Sequence, residues 1–403
     1  MSTTRNATLD RSESNGSAYY LFDREGFDAN IKELSGAYMS HYRNFKIAYS
    51  FKTNYLKAAC EIVKNNGFYA EVVSPYEYRY AREIGFAPDR IVYNGVIPSA
   101  TKYIAARDGG MVNVDNIREF DMIEKHAALA GVPVNLGVRI NFETDGAKSR
   151  FGVDIDGEEF RELMDRMENS RYVSFAGFHN HIHGKRGVRF WKLRAERMIQ
   201  LAKEYGASYI DLGGGMWGKM PEKLASQFSV RPDRYEEYGG AVGSMFKEAF
   251  PGEEVTLIIE PGIGVVGSAM ECVGHVTNIK SIRGKTYIQL DLDGAETAFD
   301  FSCDANGIVK PFEIIHTPLG KLQSVTGADF VGTTCTEIDI LVRDWTGEIG
   351  VGDTIVFENI GAYSLVTSRQ FITPRLGVYD KKTGTCLRAP EDFFDFFEKY
   401  LDS

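Results

Sequence analysis

The residue with the clearest capacity for chemistry is Lys52, which stands directly after the apolar run FKIAYSF. Such a run is typical of a buried strand, which places the lysine at a strand end. A lysine in this position is either a buried ion-pair partner or an amine that forms a Schiff base, since desolvation lowers the pKa of an ammonium group. Its position alone favours neither interpretation.

Glycines and a carboxylate follow two later apolar runs and favour the second interpretation. DLGGGMWG places three glycines after one run, and EPGIGVVGS places an acid and a glycine after the next. Backbone N–H groups in glycine-rich turns bind anions, although tight turns also require glycine. An amine, an anion-binding loop and a buried acid together predict a pyridoxal phosphate site, in which the acid would face the nitrogen of the cofactor ring. The alternative for the acid is a salt bridge. The residues concerned are Gly213, Gly214, Gly215, Glu260 and Gly262.

Three of the seven histidines, His179, His181 and His183, alternate with other residues in the run FHNHIHG. If this run is a strand, all three side chains project from one face, and a metal site remains open as an alternative. The run has no evident further set of ligands. We therefore favour one imidazole stacked on a cofactor ring over a metal-dependent hydrolase, and expect no bound metal.

Composition limits the class of protein. The chain has 403 residues, 43% hydrophobic and 25% charged, and a net charge of −10, which argues against disorder, nucleic-acid binding and anionic membranes. No apolar stretch approaches the roughly 18 residues that span a bilayer, and the polar start does not resemble a signal peptide. Five scattered cysteines without CxxC spacing fit reduced thiols. We expect a cytoplasmic enzyme that acts on a small molecule.

Two patterns divide the chain. From about residue 24 to 260, eight apolar runs alternate with amphipathic stretches and predict a closed parallel (β/α)8 barrel, with an open doubly wound sheet as the competitor. After about residue 270, alternating segments between Gly and Asp turns predict an all-β sandwich or barrel. We expect a flexible polar tail over 1–17, a barrel domain over 18–268 whose first residues could join the second domain, and a β domain over 269–403. The predicted helices are 24–40, 55–66, 75–84, 116–130, 157–167, 189–205 and 234–249.

Eight motifs in a fixed order resemble those of the fold-type III pyridoxal-phosphate decarboxylases, the diaminopimelate, ornithine and arginine decarboxylase family, which is similar to alanine racemase in its barrel. They are YSFKTN, EVVSPYEY, SRFG, FHNHIHG, DLGGG, EPG, GTTCTEID and ENIGAYS. The resemblance implies that Lys52 carries the cofactor, that His181 stacks on its ring, that Glu260 faces the ring nitrogen, and that the glycines and Tyr363 lie at its phosphate. It also implies a homodimer in which Cys335 enters the neighbouring active site and, like Lys52, can return a proton to Cα.

Departures from the family pattern concern the substrate. Ile263 stands where the family usually has the arginine of EPGR, and HIHG replaces HIGS. Thr336 follows Cys335, where the diaminopimelate and ornithine enzymes place an acid that holds the distal ammonium. An unpaired buried ammonium is costly, so we expect a modified or conjugated amino acid, as in siderophore or natural-product pathways. A diamino acid remains open if Glu337 or Asp339 serves instead; a racemase and a non-catalytic regulator are further alternatives.

Overall fold

The computed structural model describes residues 17–297, 308–318 and 320–401. The chain divides into two compact units. The barrel unit contains Asp28–Lys219 and Pro232–Val265. The β unit contains the described parts of Met1–Phe27, Met220–Arg231 and Val266–Ser403. The predicted flexible tail lies outside the described residues except for Ser17, and the domain boundaries at 268 and 269 stay predictions.

A closed parallel barrel forms the first unit and confirms the predicted fold class. Its eight described strands are hydrogen-bonded to one another in chain order, and the last (Thr256–Ile259) pairs with the first (Phe45–Ser50) to complete the ring. A two-residue strand, β7, adds to β6. All eight apolar runs form these strands, and ring closure excludes the open sheet. The strands are β2 (Phe45–Ser50), β3 (Tyr69–Val72), β4 (Ile91–Tyr93), β5 (Met111–Val114), β6 (Val134–Asn141), β7 (Val153–Asp154), β8 (Val173–His179), β9 (Tyr209–Asp211) and β10 (Thr256–Ile259).

Helices α3 (Pro75–Ile84) and α5 (Ile117–Ala130) begin at recognisable capping residues. Ser74 and Asn116 accept backbone N–H groups of the first turns of α3 and α5, and Gly85 ends α3 in the left-handed conformation. The described helices are α1 (Arg24–Met39), α2 (Lys57–Asn65), α3 (Pro75–Ile84), α4 (Ala100–Arg107), α5 (Ile117–Ala130), α6 (Glu158–Asn169), α7 (Val188–Tyr205), α8 (Glu222–Ala225), α9 (Tyr235–Tyr238), α10 (Ser244–Ala249), α11 (Ile263–Val266), α12 (Ser364–Thr367) and α13 (Phe393–Leu401).

The predicted helix 234–249 is present and contains a π-helical turn. Helix α9, the π-helical turn over Gly239–Gly243 and α10 follow one another without a break. A Cβ on Gly239 would lie 2.2 Å from the carbonyl oxygen of Ala37, so the backbones of this segment and α1 meet directly. Helix α4 is absent from the predicted helices. Its buried residues include both Lys102 and Tyr103, so charged and apolar side chains do not separate into two faces along this stretch.

The barrel core separates an apolar layer from a polar one. Tyr209 packs with Ala48, Tyr69, Val92 and Ile258. Its hydroxyl donates to Asn113 Oδ1 (2.7 Å). This hydrogen bond marks the level at which polar side chains replace apolar ones. Catalytic groups of such barrels lie at the carboxyl ends of the strands.

The second unit is a mixed, mostly antiparallel sheet, as the all-β prediction required. Its strands are β1 (Tyr19–Phe22), β11 (Met270–Ile282), β12 (Lys285–Leu290), β13 (Phe312–Ile315), β14 (Gln323–Val331), β15 (Ile340–Ile349), β16 (Thr354–Phe357), β17 (Gly377–Asp380) and β18 (Cys386–Arg388). Strand β1 lies antiparallel to β11 and parallel to β17.

Among the described residues, no helix is both long and apolar enough to cross a membrane.

Candidate active site at the carboxyl ends of the barrel strands

Lys52 lies in a short 3₁₀ turn, Phe51–Thr53, directly after β2. Its Nζ is 2.6 Å from Oε2 of Glu71, the acid in the middle of β3, and the same oxygen accepts the hydroxyl of Ser50 (2.7 Å). The side chain of Glu71 is 1% exposed and that of Lys52 is 35% exposed. A buried carboxylate therefore fixes an amine that remains accessible, so the two interpretations of Lys52 are compatible.

Glu260 follows β10 and lies close to residues at the ends of two other strands, β8 and β4. Its Oε2 lies 3.4 Å from Nε2 of His179, and the amide nitrogen of Asn94 donates to Oε1. Burial raises the pKa of Glu260, but its interactions with His179, Lys52 and Asp211 outweigh the effect of burial, and the net shift is downward. This acid is therefore ionised at neutral pH.

A second acid, Asp211, lies beside Glu260 at the end of β9. Its Oδ1 accepts the N–H of Gly213 (2.8 Å), while its Oδ2 has no hydrogen-bond partner among the described residues. Burial and the neighbouring charge of Glu260 raise the pKa of Asp211 well above its ordinary value. Two close buried acids cannot both ionise, so Asp211 holds a proton and Glu260 carries the charge.

The glycine loop is packed so tightly that side chains would not fit. Gly213 and Gly215 have φ of +63° and +84°, in the left-handed region. A Cβ on Gly214 would lie 2.4 Å from the carbonyl oxygen of Glu260, and one on Gly262 would lie 2.1 Å from Oγ1 of Thr53. The two glycine turns thus present bare backbone beside Glu260 and close to the segment that holds Lys52.

His181 contacts this loop, since the N–H of Gly214 donates to its Nδ1 (3.1 Å). Burial and the charges of Lys52 and Arg194 lower the pKa of His181 well below its ordinary value, so the imidazole is neutral. The predicted one-face histidine run is wrong, because β8 ends at His179 and the two later histidines follow the strand. His183 is exposed. Among the described residues, the cluster able to hold a metal is instead His179, Asp211 and Glu260.

These residues fit pyridoxal phosphate, which needs an amine, an acid and an anion-binding loop. An accessible amine (Lys52), an ionised buried acid (Glu260) and a neutral imidazole (His181) share one end of the barrel with a glycine cradle that a Cβ would fill. All the barrel residues predicted from the sequence are therefore brought together.

The residues predicted from the β unit form a separate turn. Cys335, Thr336 and Glu337 are exposed, and the segment is a turn rather than the extended chain assumed for placing Glu337 opposite Thr336. Asp339 accepts the N–H of Gly294 (2.8 Å) and both the N–H and the hydroxyl of Thr334 (2.9 and 2.6 Å), so its carboxylate organises this turn.

Tyr363 precedes α12 in the left-handed conformation, with φ of +65°. The assignment of all these β-unit residues to the active site stays a prediction.

Sequence reasoning missed two of the charged groups at the site. Glu71 is the one acid inside the strand run YAEVV, and Arg194 is a cation on the buried face of α7, which also carries Trp191 and Ala195. A charge on an otherwise apolar face is the signal that could have identified both, because such groups are rarely buried without a function or a partner.

A family model described as "Pyridoxal-dependent decarboxylase, pyridoxal binding domain" matches residues 28–267. Diaminopimelate decarboxylase of Aquifex aeolicus is 25% identical over 401 residues, covering 92% of this chain and 90% of that protein. Antizyme inhibitor 2 of Xenopus laevis is 24% identical over 380 residues, covering 87% and 79%. The crystal structure of diaminopimelate decarboxylase from Helicobacter pylori complexed with L-lysine superposes with a TM-score of 0.82 at 22% identity, covering 96% of this chain and 98% of that one. This last likeness establishes the fold alone.

Proposed function

The chain belongs to the pyridoxal-dependent decarboxylases, and from that premise we propose that it decarboxylates an amino acid with a modified or conjugated side chain. Its cofactor is pyridoxal phosphate and it is an amino-acid carboxy-lyase. The observation that carries the proposal is the ionised, buried Glu260 at the same barrel end as the accessible amine of Lys52. When bound, the cofactor supplies an aldehyde that bonds to amines and a ring that accepts the electrons released as a bond to Cα breaks.

The protein's part is to position this chemistry. In the proposal Lys52 holds the cofactor aldehyde, and Glu71 orients the Lys52 amine and balances its charge. Glu260 keeps a proton on the ring nitrogen, since a nearby anion stabilises the protonated form. His181 packs against the ring as a neutral imidazole, and Gly213, Gly214 and Gly215 hold the phosphate through backbone N–H groups.

The substrate's distal group is inferred from the turn that contains Cys335. Asp339 is occupied by three donors within the turn, and Thr336 carries no charge, which leaves Glu337 as the available acid of the segment. An ammonium buried beside Thr336 would lack a partner, at a cost of several kcal/mol. A neutral, conjugated or anionic distal group avoids this cost, and a diamino acid paired with Glu337 is the second candidate.

A shared active site completes the proposal. Cys335 is a free, exposed thiol, and in a homodimer it would enter the site of the second copy and return a proton to Cα. A racemase on this barrel places an arginine at the ring nitrogen, and Glu260 disfavours that alternative. A metal-dependent hydrolase would need Glu260 as a metal ligand, and the proposal assigns this residue to the ring nitrogen of the cofactor.

Release of carbon dioxide from a panel of conjugated, acidic and diamino acids tests the proposal. We expect the highest kcat/KM for a conjugated or acidic substrate, and little effect of Glu337→Gln on that substrate. A best substrate with a free distal ammonium, together with at least a tenfold loss in Glu337→Gln, would instead support the diamino acid. Racemisation without carbon dioxide release, or no turnover by cofactor-loaded protein, would contradict decarboxylation itself.

A further inference from the structure

Arg194 is a buried cation on the inner face of α7. Only 2% of it is exposed, and the residues around it on that face include Trp191, Ala195 and Met198. Burial lowers its pKa to about 10, so the guanidinium still carries its charge at neutral pH. Burying a charge costs several kcal/mol unless a partner compensates for it.

The hydrogen-bonding capacity of this guanidinium is not used. Within the described part of the chain, Nε and Nη2 of Arg194 have no hydrogen-bond partner, and the guanidinium forms no ion pair. Its carbon lies 4.4 Å from the centroid of the Trp191 ring, which is a cation–π contact. The nearby hydroxyl of Tyr38 is also buried without a partner among described residues. The charge of Glu260 acts on Arg194 without forming an ion pair, and the Nε and Nη2 donors remain available to a further anion.

The glycine loop contacts the same tryptophan as Arg194. The indole Nε1 of Trp191 donates to the carbonyl oxygen of Gly215 (3.4 Å), so one side chain contacts both the loop and the guanidinium. The charge of Arg194 lowers the pKa of His181, which accepts the N–H of Gly214. The cation is therefore close enough to act on groups at the inner surface of the loop.

We infer that Arg194 is a positioning residue that stabilises the phosphate of the cofactor from behind the glycine loop. The inference rests on the proposed function, since it requires the phosphate to lie at Gly213–Gly215. Ile263, next to Gly262, brings no charge to this end of the barrel. A cation in the low-dielectric layer between α7 and the loop interacts with a dianion much more strongly than one in water.

The test compares two ligands of the cofactor-free protein, pyridoxal phosphate and pyridoxal, which lacks the phosphate. Arg194→Met should weaken binding of pyridoxal phosphate by about tenfold or more, the loss of one charge-assisted interaction, and leave binding of pyridoxal unchanged. Arg194→Lys, which keeps the charge, should recover most of the loss. Arg197→Met on the same helix, whose guanidinium makes an exposed contact with Gln200, is the matched control.

Each outcome is decisive. Equal weakening for both ligands, or an unchanged preference for the phosphorylated one, would show that Arg194 serves packing alone and would overturn the inference. If Arg194→Met does not fold, Arg194→Gln, which keeps a polar side chain but not the charge, is compared with Arg194→Lys in the same binding measurement. If the unaltered protein does not bind pyridoxal phosphate at all, the proposed function fails before Arg194 is tested.

Discussion

Replacing Asp211 by asparagine is expected to stabilise the cofactor-free protein at neutral pH. Asp211 is fully buried, and its pKa is raised by burial and by the charge of Glu260. Asparagine has the shape of the protonated acid, and its carbonyl oxygen can still accept the N–H of Gly213 that Asp211 Oδ1 accepts now. The substitution thus keeps the contacts and removes the proton that the folded state must retain.

The magnitude follows from proton linkage. An unfolded aspartate has a pKa of about 3.9, and a raised folded pKa means that the folded state holds one proton more above that pH. The stability contributed by this group is complete below the unfolded pKa and is lost as the pH rises towards the folded pKa. The loss is about 1.4 kcal/mol per pH unit between the two pKa values, so the stability of Asp211→Asn relative to the unaltered protein should increase as the pH rises above the unfolded pKa.

Urea unfolding of both proteins at half-unit intervals from pH 5 to pH 8 measures this difference. Glu260→Gln provides a second check, because it removes the charge that helps to raise the pKa of Asp211 and should narrow the pH range over which stability is lost. A difference between Asp211→Asn and the unaltered protein that stays constant over pH 5–7 would refute the assignment of the proton to Asp211.

Two further substitutions probe the same barrel end. Glu260→Gln should lower kcat/KM for carbon dioxide release by about 100-fold, a magnitude typical of losing one preorganised electrostatic contact, while the cofactor stays bound; unchanged kcat/KM would contradict its role. Gly214→Ala should cost about 1–3 kcal/mol in urea unfolding and weaken cofactor binding, since the new Cβ would meet the Glu260 carbonyl oxygen at 2.4 Å. Gly36→Ala, whose Cβ meets nothing within 4 Å in α1, is its control and should be neutral or stabilising.

The barrel strands were predictable because the sequence of each buried strand is a short apolar run. Catalytic groups of such barrels lie at the strand ends, which identified Lys52 and Glu260. Their partners were not predictable, because Glu71 meets Lys52 only when β3 pairs with β2, and Asn94 meets Glu260 only when the closed barrel brings the ends of β4 and β10 together. The prediction for the histidine run was wrong because the alternation of histidines continues in the sequence beyond His179, whereas the strand ends at His179. At the π-helical turn Gly239 meets the backbone of α1, a contact between distant parts of the chain that no local pattern encodes.

The covalent attachment of pyridoxal phosphate to Lys52 is the central claim, and borohydride reduction followed by peptide mass analysis tests it most directly. The purified protein should show a visible chromophore that reduction fixes to the peptide containing Lys52. Lys52→Ala should lose it. Lys46→Ala should keep it, since Lys46 lies on β2, which precedes Lys52, and its amine is 5.1 Å from the centroid of the Tyr69 ring. A reduced cofactor fixed to the Lys52→Ala chain, or to another residue of the unaltered protein, would contradict the account.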